Sequence, residues 1–365
     1  MIYVIIGVYT VIASLFYRKY INIELKVKKS LSKIKLKIIQ RYIVFCIAFL
    51  PCILLSGLRY GIANDYVKIY ERGFYEIAND NIVYTHFEVG FTWLVKICSK
   101  FVHDPWFMFL LVSAITITTF VKSFEKSESF ILSIILFFAQ GMYFDSFNGI
   151  RQYIVIAIFL YSFRYIQENN LKKYMITMLI ASLFHSSALI TFPLFFFRKV
   201  KLNYIVFIIT VGVLFVLKDR VFNIFLSLMT LLPKSNSYIE KGTYLNYIST
   251  NLYGLIISIS VLVLYLYVYR KITEQEAGIF QINMAYLGLI FAVCSTFLPL
   301  MDRFLYFTKA YYLLSVPYAL SLIKSTKNRI FIATLYVIFI LGINIYGIVF
   351  NDWYGILPYK SIFTY

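Results

Sequence analysis

The chain has 365 residues, of which 61% are hydrophobic and 14% charged, and its mean hydropathy is +0.77. Soluble domains carry about 45–50% apolar and about 25% charged residues, so this composition argues against a water-soluble fold. The formal net charge is +18, but the basic residues cluster in short stretches between apolar runs. That is a membrane-orientation pattern rather than a nucleic-acid surface.

A helix needs about 20 apolar residues to cross the hydrocarbon core. Only helices or closed barrels satisfy their backbone in lipid, and continuous apolar runs exclude a barrel, whose strands alternate. The first run, 2–16, lacks a basic n-region and a small-residue cleavage site, so it reads as a retained helix rather than a signal peptide. The basic segment 17–41 follows, with nine Lys and Arg from Arg18 to Arg41 against the single acid Glu24. The next span is 42–58. Residues 87–102 contain Glu88, Lys96 and Lys100, which fits a helix lying in the interface better than a crossing. Spans follow at 105–121, 129–144 and 150–166. The stretch 173–197 is divided by His185-Ser186-Ser187. It reads as two short spans with His185 near the apex, because a single span would move Arg198, Lys199 and Lys201 to the side opposite the other basic loops. The remaining spans are 203–218, 251–269, 279–299, 304–323 and 329–349, and 220–232 is another short, interfacial stretch.

Placing segment 17–41 in the cytoplasm puts most basic residues inside, as the positive-inside rule requires. The expected fold is an all-α polytopic membrane protein. It has about twelve transmembrane helices, one domain over 1–365, and both termini outside. Two longer extracytoplasmic loops, 57–104 and 219–250, carry short interfacial helices, and 17–41 is a basic cytoplasmic loop. The four cysteines form no CxxC or Cys/His cluster, so neither a zinc site nor a disulfide framework is expected.

Ionisable residues within or at the ends of membrane helices are costly and are functional candidates by default. Arg59, Asp65, Glu88, Asn148, Arg151, His185, Asp302 and Arg303 are far apart in sequence. The topology nevertheless places all of them at one depth, near the outer leaflet. Planar arginine forks suit a phosphate or diphosphate, and a nearby His, Asp or Glu suits proton removal from an attacking hydroxyl. Together they suit group transfer from a lipid-linked diphosphate donor. Each also has a plainer reading: Arg59 as an interfacial anchor, Asp65 as a solvated loop acid, and Glu88 as a partner of Lys96 or a helix cap. Likewise His185 suits a core histidine bonded to a backbone carbonyl, and Asp302–Arg303 a local pair.

The string Asn148-Gly149-Ile150-Arg151-Gln152-Tyr153, followed by Ala181-Ser182-Leu183-Phe184-His185-Ser186-Ser187, resembles the central signature of the EpsG family of Wzy-like polymerases. Arg59-Tyr60-Gly61 with Asp65-Tyr66 and Tyr70, Glu88-Val89-Gly90-Phe91, Asp302-Arg303 with Tyr306-Phe307, and Trp353-Tyr354-Gly355 resemble further elements of it. One departure is Ile62-Ala63-Asn64 before Asp65, where the family's approach is richer in glycine.

The resemblance implies a GT-C-like glycosyltransferase in the bacterial plasma (inner) membrane. It would join oligosaccharide repeat units carried on undecaprenyl diphosphate on the outer face, building an O-antigen, capsule or exopolysaccharide without metal or other cofactor. A flippase and a chain-length regulator are the partners it implies. Residue by residue, it implies His185, Asp65, Arg151 and Arg303 as catalytic and Arg59, Glu88, Asn148, Gln152 and Tyr66 as substrate-binding. Two other classes fit a chain of this kind: a flippase or transporter for the same lipid-linked unit, and a membrane O-acyltransferase with His185 as base. Transporters favour midplane sites on repeated, broken helices, and no repeat is evident here. The inner side offers an acyl donor only basic loops.

Overall fold

In the computed structural model, residues 1–21, 31–81, 87–230, 252–273 and 276–364 are described. Helix occupies most of each apolar run identified above, but the expected span 129–144 is divided at Gln140-Gly141, where Gly141 has φ +71, and helix in the expected span 279–299 ends at Cys294. The helices are α1 (Ile2–Ile21), α2 (Leu31–Gly57), α3 (Arg72–Ala78), α4 (Val89–Phe101), α5 (Pro105–Phe124), α6 (Phe130–Ala139), α7 (Met142–Asp145) and α8 (Ile150–Gln167). After them come α9 (Leu171–Ser182), α10 (Tyr204–Val216), α11 (Lys218–Thr230), α12 (Leu252–Tyr267), α13 (Tyr269–Thr273), α14 (Glu276–Cys294), α15 (Asp302–Ser321) and α16 (Thr326–Asn351). A π-helix covers Tyr66–Glu71 and a 3-10 helix covers Ser186–Arg198. Among the described residues the one β-type pairing is an isolated bridge between Arg59 and Ser361.

Several helix starts are set by short polar residues that accept from the unpaired N–H groups of the first turn. Asp104 accepts from Trp106 N (3.1 Å) with Pro105 in the first turn of α5, Asn170 accepts from Lys173 N (3.0 Å), and Asn203 from Ile205 N (2.8 Å). Four helical stretches are long and apolar enough to cross a membrane: Ile2–Ile21, Leu36–Gly57, Pro105–Phe124 and Thr326–Asn351. The helices at 130–139, 186–198, 204–216, 252–267 and 278–294 are apolar but shorter. The protein is therefore an all-helical, multi-helix membrane protein.

The chain divides into two compact units, Met1–Leu189 with Ala333–Tyr365, and Ile190–Ile332. The first unit is polar at both ends. At one end, Tyr17 Oη donates to Glu125 Oε1 (2.6 Å), Arg41 pairs with Glu125 Oε2 (2.7 Å), and Lys122 with Oε1 (3.1 Å). One carboxylate thus ties α1, α2 and α5 together.

At the other end, residues 353–362 fold back over the start of α1 and the loop after α2. Tyr3 Oη donates to Ile356 O (2.9 Å), Tyr60 N to Lys360 O (3.0 Å), Ala63 N to Gly355 O (2.6 Å), and Ile362 N to Leu58 O (3.0 Å). The beginning of α1 and residues 353–362 therefore pack together at one end of the first unit.

Residues 87–102, expected as an interfacial helix, form α4 and its C-cap. Its buried face (Phe91, Leu94, Val95, Cys98) packs in a core with Tyr66, Tyr70, Phe74, Phe109, Ile150 and Ile154. Its other face leaves Val89, Trp93, Ile97 and Phe101 exposed at intervals of four. That apolar stripe, with Lys96 and Lys100 beside it, suits a helix lying at a lipid boundary.

In the second unit, α15 is enclosed by α12 and α14, and nearly all of its central residues are buried. Asn283 on α14 donates from Nδ2 to Phe197 O (2.7 Å) and Val200 O (2.6 Å), holding the end of the 3-10 helix. The expected loop 219–250 is occupied over 218–230 by the largely exposed α11, and its remainder lies outside the described residues.

Candidate active site

The polar end of the first unit that carries residues 353–362 also gathers three of the sequence motifs. Glu88 precedes α4 without a side-chain capping bond, and its carboxylate reaches α8 and the start of the 3-10 helix. One carboxylate oxygen, Oε2, pairs with Arg151 Nη1 in a short, charge-assisted contact, and the other, Oε1, accepts from Ser186 N (3.0 Å). Burial alone pushes this carboxyl up. The Arg151 guanidinium, the Ser186 N–H and the His185 ring outweigh it and hold Glu88 below the usual carboxylate range. Glu88 is thus the partner of Arg151, while Lys96 bonds Asp80 at an exposed position (2.9 Å).

The sequence permits this convergence because residue 90 is glycine. Gly90 N donates to Leu183 O (2.8 Å), and a Cβ at residue 90 would lie 2.8 Å from both Leu183 Cβ and Leu183 O. Only a bare backbone lets α4 meet the end of α9 this closely.

Arg151 opens α8 and lies over the Phe87 ring, 4.5 Å from guanidinium carbon to centroid. Its buried Nε has no partner among the described residues. The neighbouring Tyr70 phenol is raised by burial, pulled back by Arg151 and raised again by Asp65. Asp65 therefore lies in the electrostatic range of the same phenol. It sits at the head of the π-helix, half-buried, and its carbonyl accepts from Ile69 N and Tyr70 N (both 3.2 Å). Short π-helical turns are frequent at functional sites.

His185 occupies the turn between α9 and the 3-10 helix. Its Nδ1 accepts from Ser187 N (3.1 Å) and lies 2.8 Å from Ser187 Oγ. An Nδ1 that accepts from a backbone N–H leaves the proton of a neutral ring on Nε2. The ring accordingly presents a donor at Nε2.

The other expected residues of this unit are held within the protein. Arg59 is 1% exposed. It donates to Ser56 O and to Phe147 O (2.8 Å), and its guanidinium lies 4.6 Å from the Phe109 centroid and 5.1 Å from that of Phe147. Tyr66 stacks on Phe109 (4.4 Å), and its buried hydroxyl has no hydrogen-bond partner among the described residues. Asn148 Nδ2 donates to Tyr354 O (3.0 Å), while its Oδ1 is buried without a partner among the described residues. Gln152 is buried on α8 beside Arg151.

Arg303 belongs to the second unit, half-buried in the first turn of α15, where Asp302 Oδ1 accepts from its N–H (2.9 Å). Reasoning from sequence missed Tyr70 and Phe87 as neighbours of Arg151. It also missed Lys309, a 3%-exposed lysine on α15 whose signal was visible as the one charge inside the run 304–323. Among the described residues no group of three His, Cys, Asp or Glu side chains is placed to hold a metal ion.

The described residues thus form a many-helix membrane protein whose first unit carries an arginine–glutamate–histidine cluster at one end. The family is specific. The EpsG family model matches residues 42–361, and the chain belongs to that family, whose members are Wzy-like polysaccharide polymerases. No curated protein and no solved structure matches the chain.

Proposed function

We propose that this protein joins undecaprenyl-diphosphate-linked oligosaccharide repeat units into a surface polysaccharide on the outer face of the bacterial plasma membrane. The observation that carries this reading is the Glu88 carboxylate, which draws Arg151 of α8 and the His185-Ser186 turn to one place. Family membership supports the polymerase class.

In the proposed step, the bond between the anomeric carbon of the donor chain and its diphosphate breaks. A bond forms from that carbon to a hydroxyl oxygen of the acceptor repeat. Arg151, set in orientation by Glu88 and the Phe87 face, takes the charge of the departing diphosphate, and pre-set cations are effective at this task. Asp65 takes the proton of the attacking hydroxyl. His185 presents Nε2–H and donates a hydrogen bond to a phosphate or sugar oxygen, a role that follows from the Ser187 contacts on Nδ1. Arg303 is a further arginine for a diphosphate, carried by the second unit. Arg59, enclosed by rings and carbonyls, and Asn148, bound to Tyr354 O, support the loop and the turn before α8. Tyr66 and Gln152 complete the surroundings of Arg59 and Arg151. The scheme requires neither a nucleotide sugar nor a metal.

Purified protein supplied with lipid-linked repeat units tests the reading. Polymer formation, lost in Arg151→Ala by about 10²–10³-fold with unchanged folding, is the expected result. Movement of the lipid across the bilayer without bond formation assigns a flippase instead, and acyl incorporation assigns an acyltransferase. Normal long-chain polymer from a well-expressed Arg151→Ala protein removes Arg151 from the diphosphate role.

A further inference from the structure

Three helices of the first unit, α1, α6 and α16, enclose a cleft with a volume of about 430 Å³. Both α1 and α16 are long and apolar enough to cross a membrane. They form its rims: Val4, Val8 and Ile12 on α1 and Leu341, Ile345 and Val349 on α16 are exposed at intervals of four. Each set runs along one helix face for about 12 Å. Gly7 and Phe138 of α6 lie on the floor. A Cβ at Gly7 would rest 3.8 Å from Phe138 Cδ1, an ordinary contact, so the missing side chain leaves depth that a larger residue would occupy. One end of the cleft reaches the strap of residues 353–362. Tyr3 and Leu357 line it there, and Tyr3 Oη donates to Ile356 O (2.9 Å). The other polar side chain in the wall is engaged as well. Asn344 Nδ2 donates to Phe138 O (3.3 Å), and its Oδ1 accepts from Tyr354 Oη (2.9 Å).

We infer that this cleft holds one acyl chain of a bilayer glycerophospholipid, seated against Gly7 and Phe138 and bracing the strap through Tyr3 and Leu357. With both polar side chains already hydrogen-bonded, the wall is hydrocarbon and selects hydrocarbon. Size narrows the choice. An apolar cavity of about 150 Å³ takes up one benzene, so this cleft takes about 17 carbons, the content of one ordinary acyl chain. A helix of a second copy is about 10–12 Å across and over the same length displaces on the order of 1,000 Å³, more than the cleft provides. A polyprenyl chain is branched at each isoprene unit and much longer than the cleft. In lipid the gain is one of packing rather than of water release, because an unfilled apolar void forfeits dispersion contacts along its lining. The inference is independent of the reaction proposed above, and none of the residues that form the cleft belongs to the Glu88 cluster.

The test uses the full chain, purified in detergent and stripped of lipid. Native mass spectrometry counts the lipid retained after addition of palmitoyl-oleoyl phosphatidylethanolamine, its dioctanoyl counterpart, or undecaprenyl phosphate. Retention of one long-chain phospholipid per protein is expected, with a melting temperature raised by about 4 °C or more and slower amide exchange at residues 58–63 and 355–362. The dioctanoyl lipid, too short to fill the cleft, should give little of either. Gly7→Leu fills the floor and Ile345→Trp closes the mouth, and each should cut retention about tenfold. Ile338→Trp, also at an exposed position of α16 but outside the cleft, should leave it unchanged. Because Ile345 is exposed, that variant carries the test if Gly7→Leu does not fold. Equal retention by wild type and Ile345→Trp overturns the inference. Preferential retention of undecaprenyl phosphate, or an Ile345-dependent dimer without bound lipid, overturns it in favour of a polyprenyl chain or a second copy. Retained phospholipid with unchanged exchange at the strap overturns the bracing role.

Discussion

Glu88 is the residue on which the geometry of the cluster turns, because each of its two oxygens holds a different helix end. Its side chain is 23% exposed, so solvent reaches the pair and the effect of titration is measurable. The folded carboxyl titrates below its ordinary value. Its contribution is therefore complete above the unfolded value, about 4.3, and is lost as pH falls through the folded value. Melting of the purified protein should show no Glu88-dependent change between pH 7 and pH 5. It should fall at more acid pH, and Glu88→Gln should remove that acid-side component. A Glu88 dependence that persists only toward alkaline pH contradicts the assignment. A second residue, Ala63, has φ +76 in the loop ahead of Asp65, a region that favours glycine. This gives a physical content to the departure from a glycine-rich approach noted in the sequence. Ala63→Gly relieves left-handed strain and should leave melting within about 1 kcal/mol of wild type. Ala63→Val, β-branched at positive φ, should lower it clearly in the same thermal assay.

At the scale of elements, the contact between α4 and the end of α9 depends on one missing methyl. Gly90→Ala forces a Cβ against Leu183 and should destabilise the protein by about 1–3 kcal/mol. Polymer yield per folded molecule should fall as well, because the same shift moves Glu88 off Ser186; thermal melting and a polymer-length gel read the two effects separately. How far such elements can be read from sequence differs with their physics. Span-length apolar runs announce helices, and helix covers most of each such run among the described residues, although hydropathy does not mark the division of 129–144 at Gln140-Gly141. Polar caps set where several of these helices start, as Asp104-Pro105 does for α5. The break at His185 was legible from His-Ser-Ser in an apolar stretch. The 3-10 form of 186–198 was not, since hydropathy does not distinguish helical pitch. Nor was the partner of Glu88: Lys96 was the near-sequence alternative, and only the folding of α4 against α8 selects Arg151. Arg59 read as an interfacial anchor or a substrate-binding arginine, and its enclosure was not legible because the rings that enclose it, Phe109 and Phe147, are remote in sequence. Lys309 escaped notice because a single lysine hardly lowers the hydropathy of a twenty-residue run.

For the whole first unit, the far end is as organised as the site end, around Glu125. Glu125→Gln leaves Arg41 and Lys122 without their counter-charge. It should destabilise the protein by about 3 kcal/mol, seen as a lower melting point in detergent, while the surviving folded molecules keep their polymer-forming rate. A rate lost without any stability change would place Glu125 in the reaction instead. The strap of residues 353–362 has a consequence in time. Ala63, Tyr60 and Leu58 receive hydrogen-bond partners that leave the ribosome long after them; at about 5–20 residues per second, the delay is on the order of tens of seconds. Throughout that interval the nascent chain already has its early spans but lacks the backbone groups that shape the stretch leading to Asp65. These hydrogen bonds are thus a late event of synthesis, and a chain still being made carries the stretch before Asp65 without the clasp that sets it.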